Sequence, residues 1–380
     1  MHKRAGLAAA AFLVAACSES VGPRQQAAPP PAAAAAVGAG IVLDQYTGVM
    51  GETGIEIGQG FNPTNPHRGD AIIATFFWRG STNTITKVFD HLSDADNGAA
   101  TVVGNTYTLV EYVTAGGYSM ATYVATNVQN FPDPNPDVGT VLNVDAVFSS
   151  PVTDAGCLLS AWTGVGAVAA QAVGAHRSAW GSGSGTLAGG PGSIATGPGA
   201  LAYAVTLGDG LVGRDPPAGF TRFADGADTL IVTEGDYALQ GASGSVDPQW
   251  TWYFADSPPR TWLATVLALN PPLHFAFTVE PSTTPPFMAI QPAVQVTVLD
   301  AQGNRVTGFN GPVTIAIGHN GSINPLMAGT LSGTKTVTAV DGVAVFPDLS
   351  IDQLGNDYTL VVSAAGVTGA ESRTFNIGVF

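Results

Sequence analysis

Residues 71–78 read AIIATFFW, an apolar run that only Thr75 interrupts. Ile, Phe, Thr and Trp are typical strand residues, and the glycines at 69 and 80 are turn formers, so the run predicts a β-strand. Similar segments recur along the chain between Gly, Pro, Asn and Asp residues. They are Thr84–Phe89, Tyr107–Val113, Tyr118–Asn127, Leu142–Phe148, Leu158–Trp162, Leu201–Leu207, Leu230–Thr233, Trp250–Phe254 and Trp262–Leu269.

This succession of short strands predicts an all-β domain from Ile41 to Pro272. Many strands separated by turn residues favour a sandwich or jelly roll over alternating βαβ units. No helical period of 3.6 residues competes over a useful length. The stretch Ser178–Gly199 contains GSGSGTLAGGPGS, and this glycine content predicts a flexible loop.

A further set of turn and strand residues in this domain follows a recognisable order. They are Asp96, Asn97, Gly104–Tyr107 (GNTY), Tyr123–Asn127 (YVATN), Trp162–Gly164, the glycine-rich loop at 181–199, and the strand from Trp262 to Asn270-Pro271. This order resembles the concanavalin A-like jelly-roll domains of bacterial and phage surface proteins. That resemblance implies the fold and says little about function.

Residues 273–380 predict a second β domain. In PAVQVTVLDAQGNRVTGF, Val294, Val296 and Val298 alternate with polar residues, which puts the valines on one buried face of a strand. Asp341-Gly342 is a two-residue hairpin signal. Further predicted strands are Val313–Ile317, Thr334–Ala339, Val343–Phe346, Tyr358–Ser363 and Arg373–Ile377.

The whole of this segment resembles the immunoglobulin-like domains of the invasin and intimin type, which act as spacers in bacterial surface proteins. The resemblance is carried by VTVLDAQGNRVTGFNGPVTIAI, DGVAVFPDLSID and YTLVVSAAG. It implies an immunoglobulin-like β-sandwich without a cysteine pair. Asn270-Pro271-Pro272 separates the two predicted domains.

The N-terminus predicts export. Lys3 and Arg4 precede an apolar run, Ala5–Val14, that is too short to span a bilayer as a helix. Val14-Ala15-Ala16-Cys17 resembles the lipobox of bacterial lipoproteins, which implies a signal peptide at 1–16 and a lipid on Cys17. The alternative is an ordinary signal peptide, with Cys17 incidental. By resemblance to proteobacterial sorting, Ser18 favours the outer membrane or cell surface.

Residues 17–40 predict a disordered, Ala- and Pro-rich tether after the lipidated cysteine. The formal net charge is -15 and only 11% of residues are charged. Such a chain repels phosphate backbones and anionic headgroups, so we expect no nucleic-acid partner, and we expect membrane attachment only through the lipid on Cys17. Cys157 then has no disulfide partner, and its apolar neighbours predict a buried, inert thiol.

The sequence contains no convincing catalytic constellation. The G-x-S-x-G elbow and the H-E-x-x-H zinc motif are both missing. His176 lies near Ser178, but the sequence shows no ordered partner for it, so it is interpreted as a loop histidine rather than a triad member. Glu111 is the most attractive acid, and an exposed strand residue explains it equally well. We therefore expect no enzymatic activity.

Two features are candidate binding sites. Asp133, Asn135 and Asp137 have the D-x-N-x-D spacing of a calcium loop, but the glycine is one place late and Val144 stands where an EF-hand has glutamate. A proline-fixed turn is the alternative, and no other cofactor is expected. Trp250 and Trp252 share one face of a strand, which is typical either of a sugar-stacking platform or of a sandwich core.

The sequence as a whole predicts a lipid-anchored bacterial surface protein that functions in adhesion, by recognising a glycan or a surface protein. One alternative is a structural spacer of the cell envelope that has no specific ligand. Another is a carbohydrate-active enzyme of concanavalin A-like fold. Fold resemblance cannot separate these three, because function belongs to sites.

Changing Cys17 to Ser tests the predicted anchor. We expect the variant to accumulate unprocessed or to be released, because the acyl acceptor is gone. Phase partition in a cloud-point detergent, together with the mass of the N-terminal peptide, measures this. A correctly processed variant that still enters the detergent phase contradicts the prediction.

Overall fold

A computed structural model describes residues 40–378 except 63, 95–99, 133–139, 214, 229, 255–257, 301–302 and 325. The predicted signal peptide, Cys17 and nearly all of the tether lie outside the described residues. The protein is 60% strand and 1% helix, which confirms the all-β prediction. Within the described part, α1 (Ala169–Ala172) is four residues long, and no helix there has the length and apolarity to cross a membrane.

In the described part of the chain seventeen strands precede residue 270, and most of them belong to two antiparallel sheets. They are β1 (Val42–Gly60), β2 (Ala71–Arg79), β3 (Ile85–Asp94), β4 (Ala100–Val102), β5 (Thr108–Ala115), β6 (Tyr118–Ala125), β7 (Thr140–Thr163), β8 (Val173–Gly183), β9 (Thr186–Gly189), β10 (Ile194–Thr196), β11 (Leu201–Gly208), β12 (Leu211–Val212), β13 (Thr221–Ala227), β14 (Val232–Leu239), β15 (Gly244–Val246), β16 (Trp250–Tyr253) and β17 (Arg260–Leu269).

The first sheet has the order β4-β3-β7-β2-β6-β5, with β1 also paired to β7. The second sheet has the order β13-β14-β11-β17-β8. A small three-stranded sheet, β12-β16-β9, packs on the second sheet through a cluster of aromatic and aliphatic side chains. Strands β10 and β15 pair only with each other, and Ile194 on β10 packs in the same cluster as the small sheet. The curled sheets give a sandwich-like arrangement in which central strands of both main sheets are covered on each face.

The AIIATFFW run is β2, and burial on both of its faces explains its continuous apolar character. Ile73 and Phe77 lie in the core between the two main sheets, while Phe76 and Trp78 lie in a second core on the opposite face. A strand that is half exposed would alternate apolar and polar residues, whereas a strand covered on both sides does not. Strand β17 follows the same rule, because Leu263 lies in the core between the two main sheets and Ala264 lies in a core on the opposite face.

A buried polar link joins the two main sheets. The hydroxyl of Thr75 on β2 lies 3.0 Å from the hydroxyl of Thr122 on β6 and 3.0 Å from that of Tyr203 on β11. Burial is the main cause that raises the pKa of Tyr203, so this phenol stays protonated and can donate. Thr75, the one polar residue of the AIIATFFW run, is therefore hydrogen-bonded rather than stranded in the core.

The sequence predicted two strands, at 142–148 and 158–162, where the structure has one long strand, β7. Proline at position 151 and the serines before it are typical of a break. Pro151 lies where the ladders are interrupted, because β3 pairs with β7 only up to Phe148 and β2 pairs with it from Thr153 onward. Proline has no backbone N–H, but at this gap between the ladders of β3 and β2 it removes no ladder hydrogen bond to either strand.

The prediction of a loop at 178–199 is also wrong, because much of this stretch belongs to β8, β9 and β10. Gly181 and Gly189 face the indole of Trp262, which lies between β8 and β9. A Cβ atom at Gly181 would lie 2.6 Å from Cζ2 of Trp262, and one at Gly189 would be closer still. The glycines therefore make room for a core side chain within strands.

Among the described residues after 272 there are eleven strands. They are β18 (Leu273–Val279), β19 (Val294–Leu299), β20 (Pro312–Ile317), β21 (Leu331–Ser332), β22 (Thr336–Thr338), β23 (Val343–Phe346), β24 (Ser350–Ile351), β25 (Gly355–Tyr358), β26 (Leu360–Ala364), β27 (Val367–Glu371) and β28 (Phe375–Ile377). Seven of them form the sheet β22-β20-β26-β27-β18-β19-β23, and β21-β24 and β25-β28 form two short pairs.

This C-terminal part has a hydrophobic core of its own. Val294, Val296 and Val298 are all fully buried in it, as their alternation predicted. No ladder in the described residues pairs a strand before residue 270 with one after residue 272. A hydrogen bond from Gln171 Nε2 to the carbonyl of Ala365, 3.0 Å long, connects the two parts. Independent folding of residues 273–380 stays a prediction.

Changing Gly181 to Ala tests the tight packing around Trp262. We expect the free energy of unfolding to fall by about 1–3 kcal/mol, because the new methyl group overlaps a rigid indole. Chemical denaturation followed by tryptophan fluorescence measures this. Gly241→Ala is the matched control, since a Cβ there meets no atom within 4 Å; equal stability losses for the two variants contradict the packing argument.

Candidate functional site

Two adjoining pockets, of about 290 Å³ and about 300 Å³, open at one end of the sandwich-like part. Asp209, Leu230 and Arg260 line both pockets, so the two form one continuous groove. We call it the end groove and define it by these three residues together with Arg79, Tyr118, Asp228 and Tyr253.

The end groove lies where strand ends of the two main sheets meet. From the second sheet, Asp209 follows β11 and Arg260 begins β17. From the first sheet, Arg79 ends β2, and the Gly116-Gly117 turn joins β5 to β6. Both glycines have positive φ, at 59° and 85°, which a two-residue hairpin of this hand requires. A Cβ at Gly116 would also collide with Thr261 of the second sheet.

Ion pairs and turns hold the polar groups of the end groove in place. Arg260 Nη1 lies 3.0 Å from Asp209 Oδ2, and Arg79 Nη1 lies 3.1 Å from Asp154 Oδ2. Asp228 Oδ1 accepts hydrogen bonds from the backbone N–H groups of Leu230 (2.6 Å) and Ile231 (2.7 Å). These contacts fix one carboxylate oxygen of each of the three acids.

Three polar atoms of residues that line the groove are buried without a hydrogen-bond partner in the described part of the chain. They are Asp209 Oδ1, Asp228 Oδ2 and Arg260 Nε. Two of them accept hydrogen bonds and one donates. A buried polar group without a partner destabilises the fold by about 1–3 kcal/mol, so three of them beside one groove indicate a place for a polar ligand.

Tyr118 adds a donor to the groove. Burial, and then the negative charge of Asp209, raises the pKa of this phenol, so it stays protonated at neutral pH. Its hydroxyl donates to the carbonyl oxygen of Leu230 across 3.4 Å, a long and weak hydrogen bond. The nearby carboxylate of Asp209 also interacts with this hydroxyl and competes for the same proton.

An apolar wall forms one side of the end groove. Tyr253 on β16 is 51% exposed and pairs in register with Leu211 on β12, which is 68% exposed. Directly paired residues place their side chains next to each other on one face of the ladder. An aromatic ring and an aliphatic side chain thus face solvent beside the charged groups, which suits a ligand with one apolar face.

Trp250 and Trp252, the sequence's candidate sugar platform, are 1% and 0% exposed. They pack between the small sheet and the second main sheet, and the ring of Trp252 stacks on Phe254 with 5.7 Å between centroids. An exposed platform at this pair is therefore wrong, and the core alternative describes it. The physical reason is that Trp250 and Trp252 lie on the face of β16 that covers the second sheet. Tyr253, the next residue along β16, lies on the opposite face and is exposed.

Beneath the small sheet lie two acids that sequence reasoning missed, Glu234 and Asp236 on β14. Both are 0% exposed. Asp236 Oδ2 accepts a 2.9 Å hydrogen bond from Trp250 Nε1, and Glu234 Oε2 lies 2.5 Å from Arg222 Nη2 without good hydrogen-bond alignment. Their spacing of two residues was the available signal, but the predicted strand ended at Thr233.

Burial and then the charge of Asp236 raise the pKa of Glu234 from 4.5 to about 8. Burial also raises the pKa of Asp236, while the hydrogen bond from Trp250 opposes that rise. At neutral pH the pair therefore holds a proton on Glu234, which spares the core a second buried negative charge. The small sheet covers the pair, so these carboxyls do not face the end groove.

Glu111, His176 and Ser178 meet at an edge between the two main sheets. His176 Nδ1 lies 2.6 Å from Glu111 Oε1, and the hydroxyl of Ser178 donates to Glu111 Oε2 across 2.6 Å. In a Ser-His-acid triad the serine bonds to the histidine, so this order of contacts is different. His176 lies on β8, not in a loop, and the Glu111 side chain is only 15% exposed, which corrects both interpretations.

Asp44, His67 and Asp70 have metal-ligand atoms within 4.8 Å of one another. His67 binds both acids, because its Nδ1 lies 3.0 Å from Asp44 Oδ1 and its backbone N–H lies 3.2 Å from an oxygen of each. These contacts fasten the segment that leads into β2. Asp133, Asn135 and Asp137, the predicted calcium ligands, lie outside the described residues.

Cys157 on β7 is fully buried, as the sequence predicted. Burial is the largest cause that raises the pKa of its thiol, and the charge of Asp145 adds to it. A thiol that holds its proton this firmly is a poor nucleophile.

Neither a comparison of the chain with protein-family models nor one with curated proteins finds a match. The end groove is the described site in which open volume, unpartnered polar atoms and an exposed aromatic ring coincide. A proposal about function therefore has to begin from this geometry.

Changing Glu234 to Gln tests the buried acid pair. Between pH 4.5 and about 8 the folded protein binds a proton that the unfolded chain releases, so the free energy of unfolding falls as pH rises through this window. The slope approaches roughly 1.4 kcal/mol per pH unit. We expect the Gln variant, whose residue 234 cannot titrate, to lose the part of this slope that Glu234 contributes and to gain stability relative to the parent as pH rises.

Urea denaturation at several pH values measures this difference. Glu52→Gln is the control, because Glu52 is exposed on β1. Parallel pH profiles for the parent and Glu234→Gln would contradict the raised pKa.

Proposed function

We propose that this protein is an exported, lipid-anchored surface protein whose end groove recognises carbohydrate. In this proposal Cys17 carries the anchor and residues 17–40 form the tether. Residues 41–272 form a jelly-roll domain that presents the groove, and residues 273–380 form an immunoglobulin-like domain. The observation that carries the proposal is the set of three buried, unpartnered polar atoms beside the groove.

The mixture of donor and acceptor atoms supports a ligand rich in hydroxyl groups. A hydroxyl both donates and accepts, so neighbouring sugar hydroxyls can donate to Asp209 Oδ1 and Asp228 Oδ2 while another accepts from Arg260 Nε. A carboxylate or phosphate ligand has no proton for the two acidic oxygens and would be repelled by them. A metal cation would suit the oxygens but would meet the positive charge of Arg260.

The charges at the site, two arginines against three aspartates when Asp154 is counted, disfavour an anionic ligand and suit a neutral one. Arg79 and Arg260 oppose Asp209 and Asp228, and the pair with Asp154 adds one more acid. A neutral polyol requires no net charge from its site. Recognition of sugars also requires a surface for the apolar C–H face of the ring, and Tyr253 with Leu211 supplies an exposed one.

A surface spacer without a specific ligand has no use for this arrangement. Three buried polar atoms without partners lower stability, and a chain selected only for stability would replace or pair them. The cost is understandable where a ligand completes the hydrogen bonds. Adhesion to a glycan therefore accounts for the end groove better than a purely structural role.

A glycan array probed with residues 41–380, followed by calorimetry with the best ligand, tests the proposal. We expect Asp228→Asn to weaken binding tenfold or more, about 1.4 kcal/mol, because an amide N–H replaces the accepting Oδ2 while the remaining oxygen still accepts from Leu230 and Ile231. We expect Tyr253→Ala to weaken binding by a similar factor, because the apolar wall is lost.

Phe287→Ala is the matched control, since Phe287 is an exposed aromatic residue of the C-terminal part. It should leave glycan affinity unchanged. Absence of any glycan ligand, or a ligand whose affinity is insensitive to both groove substitutions, would remove the basis of the proposal. Release of shortened sugar from a bound glycan would instead favour the hydrolase alternative.

A further inference from the structure

Trp180 on β8 differs from the other tryptophans of the chain in its exposure. It is 57% exposed, whereas the other five are at most 8% exposed. A tryptophan gains most from burial when its ring is packed in a core, as the other five are. An indole that an ordered strand holds in solvent is therefore a candidate contact for a ligand.

The side chain of Trp180 lies on the face of β8 that is turned toward the first sheet. In the ladder between β8 and β17, Trp180 pairs with Leu263 and His176 pairs with Leu267. Both leucines lie in the core between the two main sheets. Directly paired residues place their side chains on the same face. Trp180 and His176 therefore border that core at its open edge.

Two edge strands, β5 of the first sheet and β8 of the second, form a strip of surface that leads to the end groove. β5 ends at the Gly116-Gly117 turn, and Gly183 at the end of β8 pairs with Arg260. The turn and Arg260 both line the groove. Both strands thus run toward the groove. We call the strip the edge seam and define it by Glu111, His176, Ser178 and Trp180.

Glu111 holds the polar side chains of the edge seam in place. It binds Nδ1 of His176 with one carboxylate oxygen and the hydroxyl of Ser178 with the other, each at 2.6 Å. The His176 side chain is 41% exposed, and its Nε2 has no hydrogen-bond partner among the described residues. Nε2 accepts a hydrogen bond when the imidazole is neutral and donates one when it is charged. A hydroxyl group can pair with it in either state.

Strand geometry gives the spacing of these groups from the groove. Residues of an antiparallel strand rise by about 3.4 Å each, so Leu263, opposite Trp180, lies about 10 Å along β17 from Arg260, and Leu267, opposite His176, lies about 24 Å from it. One sugar ring in the groove is too short to reach either position. A chain of linked sugars that leaves the groove meets Trp180 first and His176 later.

We propose, on the basis of the function proposed for the end groove, that its ligand is an oligosaccharide which continues along the edge seam, stacks a sugar on Trp180 and hydrogen-bonds to His176. A sugar has an apolar C–H face for the indole and hydroxyl groups for Nε2. The carboxylate of Glu111 already binds two side chains of the protein, so the seam, like the groove, suits a neutral chain.

A chain-length series measured by calorimetry tests the proposal. The full chain carrying Cys17→Ser is titrated with neutral oligosaccharides of glucose, mannose and galactose, each from disaccharide to hexasaccharide. In a series that binds, we expect the affinity of the hexasaccharide to exceed that of the disaccharide by about tenfold or more, because the longer chain reaches the seam. Trp180→Ala should remove most of this gain, and His176→Ala should remove the part that the longest members contribute. Both variants should leave the disaccharide affinity unchanged.

Quenching of tryptophan fluorescence by acrylamide gives a second readout, since Trp180 is the exposed indole. The hexasaccharide should protect it from acrylamide, and the disaccharide should not. Trp180→Phe keeps an aromatic ring and should retain much of the gain in affinity. Circular dichroism of each variant establishes that it is folded.

Val102→Ala is the matched control. Val102 is 68% exposed on β4, which lies at the opposite end of the first sheet from β5. This variant should keep the parent's dependence of affinity on chain length.

Failure of the edge seam and failure of the end groove give different results. Equal affinities of disaccharide and hexasaccharide in the parent would overturn the seam, as would an unchanged chain-length dependence in Trp180→Ala or in His176→Ala. An equal loss for short and long ligands in Trp180→Ala would also overturn it. In each case Asp228→Asn would still weaken disaccharide binding, so the groove stands. Absence of binding in every series, or binding that Asp228→Asn leaves unchanged, would overturn both.

Discussion

Burial of both faces of the two main sheets is the constraint on which the rest of the structure depends. Ile73 and Ile72 on β2 enter cores on opposite sides of one sheet, and Leu263 and Ala264 on β17 do the same in the other. Each buried aliphatic or aromatic side chain stabilises the fold by about 1.5–3 kcal/mol. Strands covered on both sides have no room for unpaired polar groups, so polar residues collect at strand ends.

The end groove follows from that constraint. Its charged residues lie at strand ends, where two sheets present loops to a common opening. The Gly116-Gly117 turn brings the first sheet's hairpin against Thr261 of the second, and Asp228 caps its own turn with one oxygen. The groove is therefore held in shape before any ligand arrives, and preorganisation of this kind lowers the cost of binding. What it lacks is partners for three buried polar atoms.

The buried acids of β14 are polar groups inside a strand that is covered on both faces, and only part of their hydrogen-bonding capacity is used. Glu234 and Asp236 lie on a strand whose outer face is covered by the small sheet, so neither reaches water. Trp250 supplies one hydrogen bond and Arg222 supplies one positive charge. The free-energy cost of burying the two carboxyls is not fully offset, and it raises the pKa of Glu234. The indole of Trp250, a candidate sugar-stacking ring from the sequence, therefore donates a hydrogen bond to the buried carboxylate of Asp236.

One loop of the C-terminal part treats its apolar side chains differently. The side chains of Asn320, Ser322 and Asn324 form hydrogen bonds with the backbone of the loop at 322–329, and Leu326 in that loop is 91% exposed. Inside the sandwich-like part, ladders pair the strand backbones and apolar side chains pack inward.

The sequence by itself determined the all-β class, most strand positions, the buried face of Val294, Val296 and Val298, and the burial of Cys157, because these depend on local composition and on a period of two residues. The sequence wrongly predicted a loop around the glycines at 181 and 189. These glycines make room for the indole of Trp262, which lies some 70–80 positions further along the chain. It also could not find the end groove. Arg79, Asp209, Asp228, Tyr253 and Arg260 come from separate turns and strand ends, and no local spacing relates them. Only the order and register of the strands brings such residues together, and those are set by long-range packing that no short stretch of the chain contains.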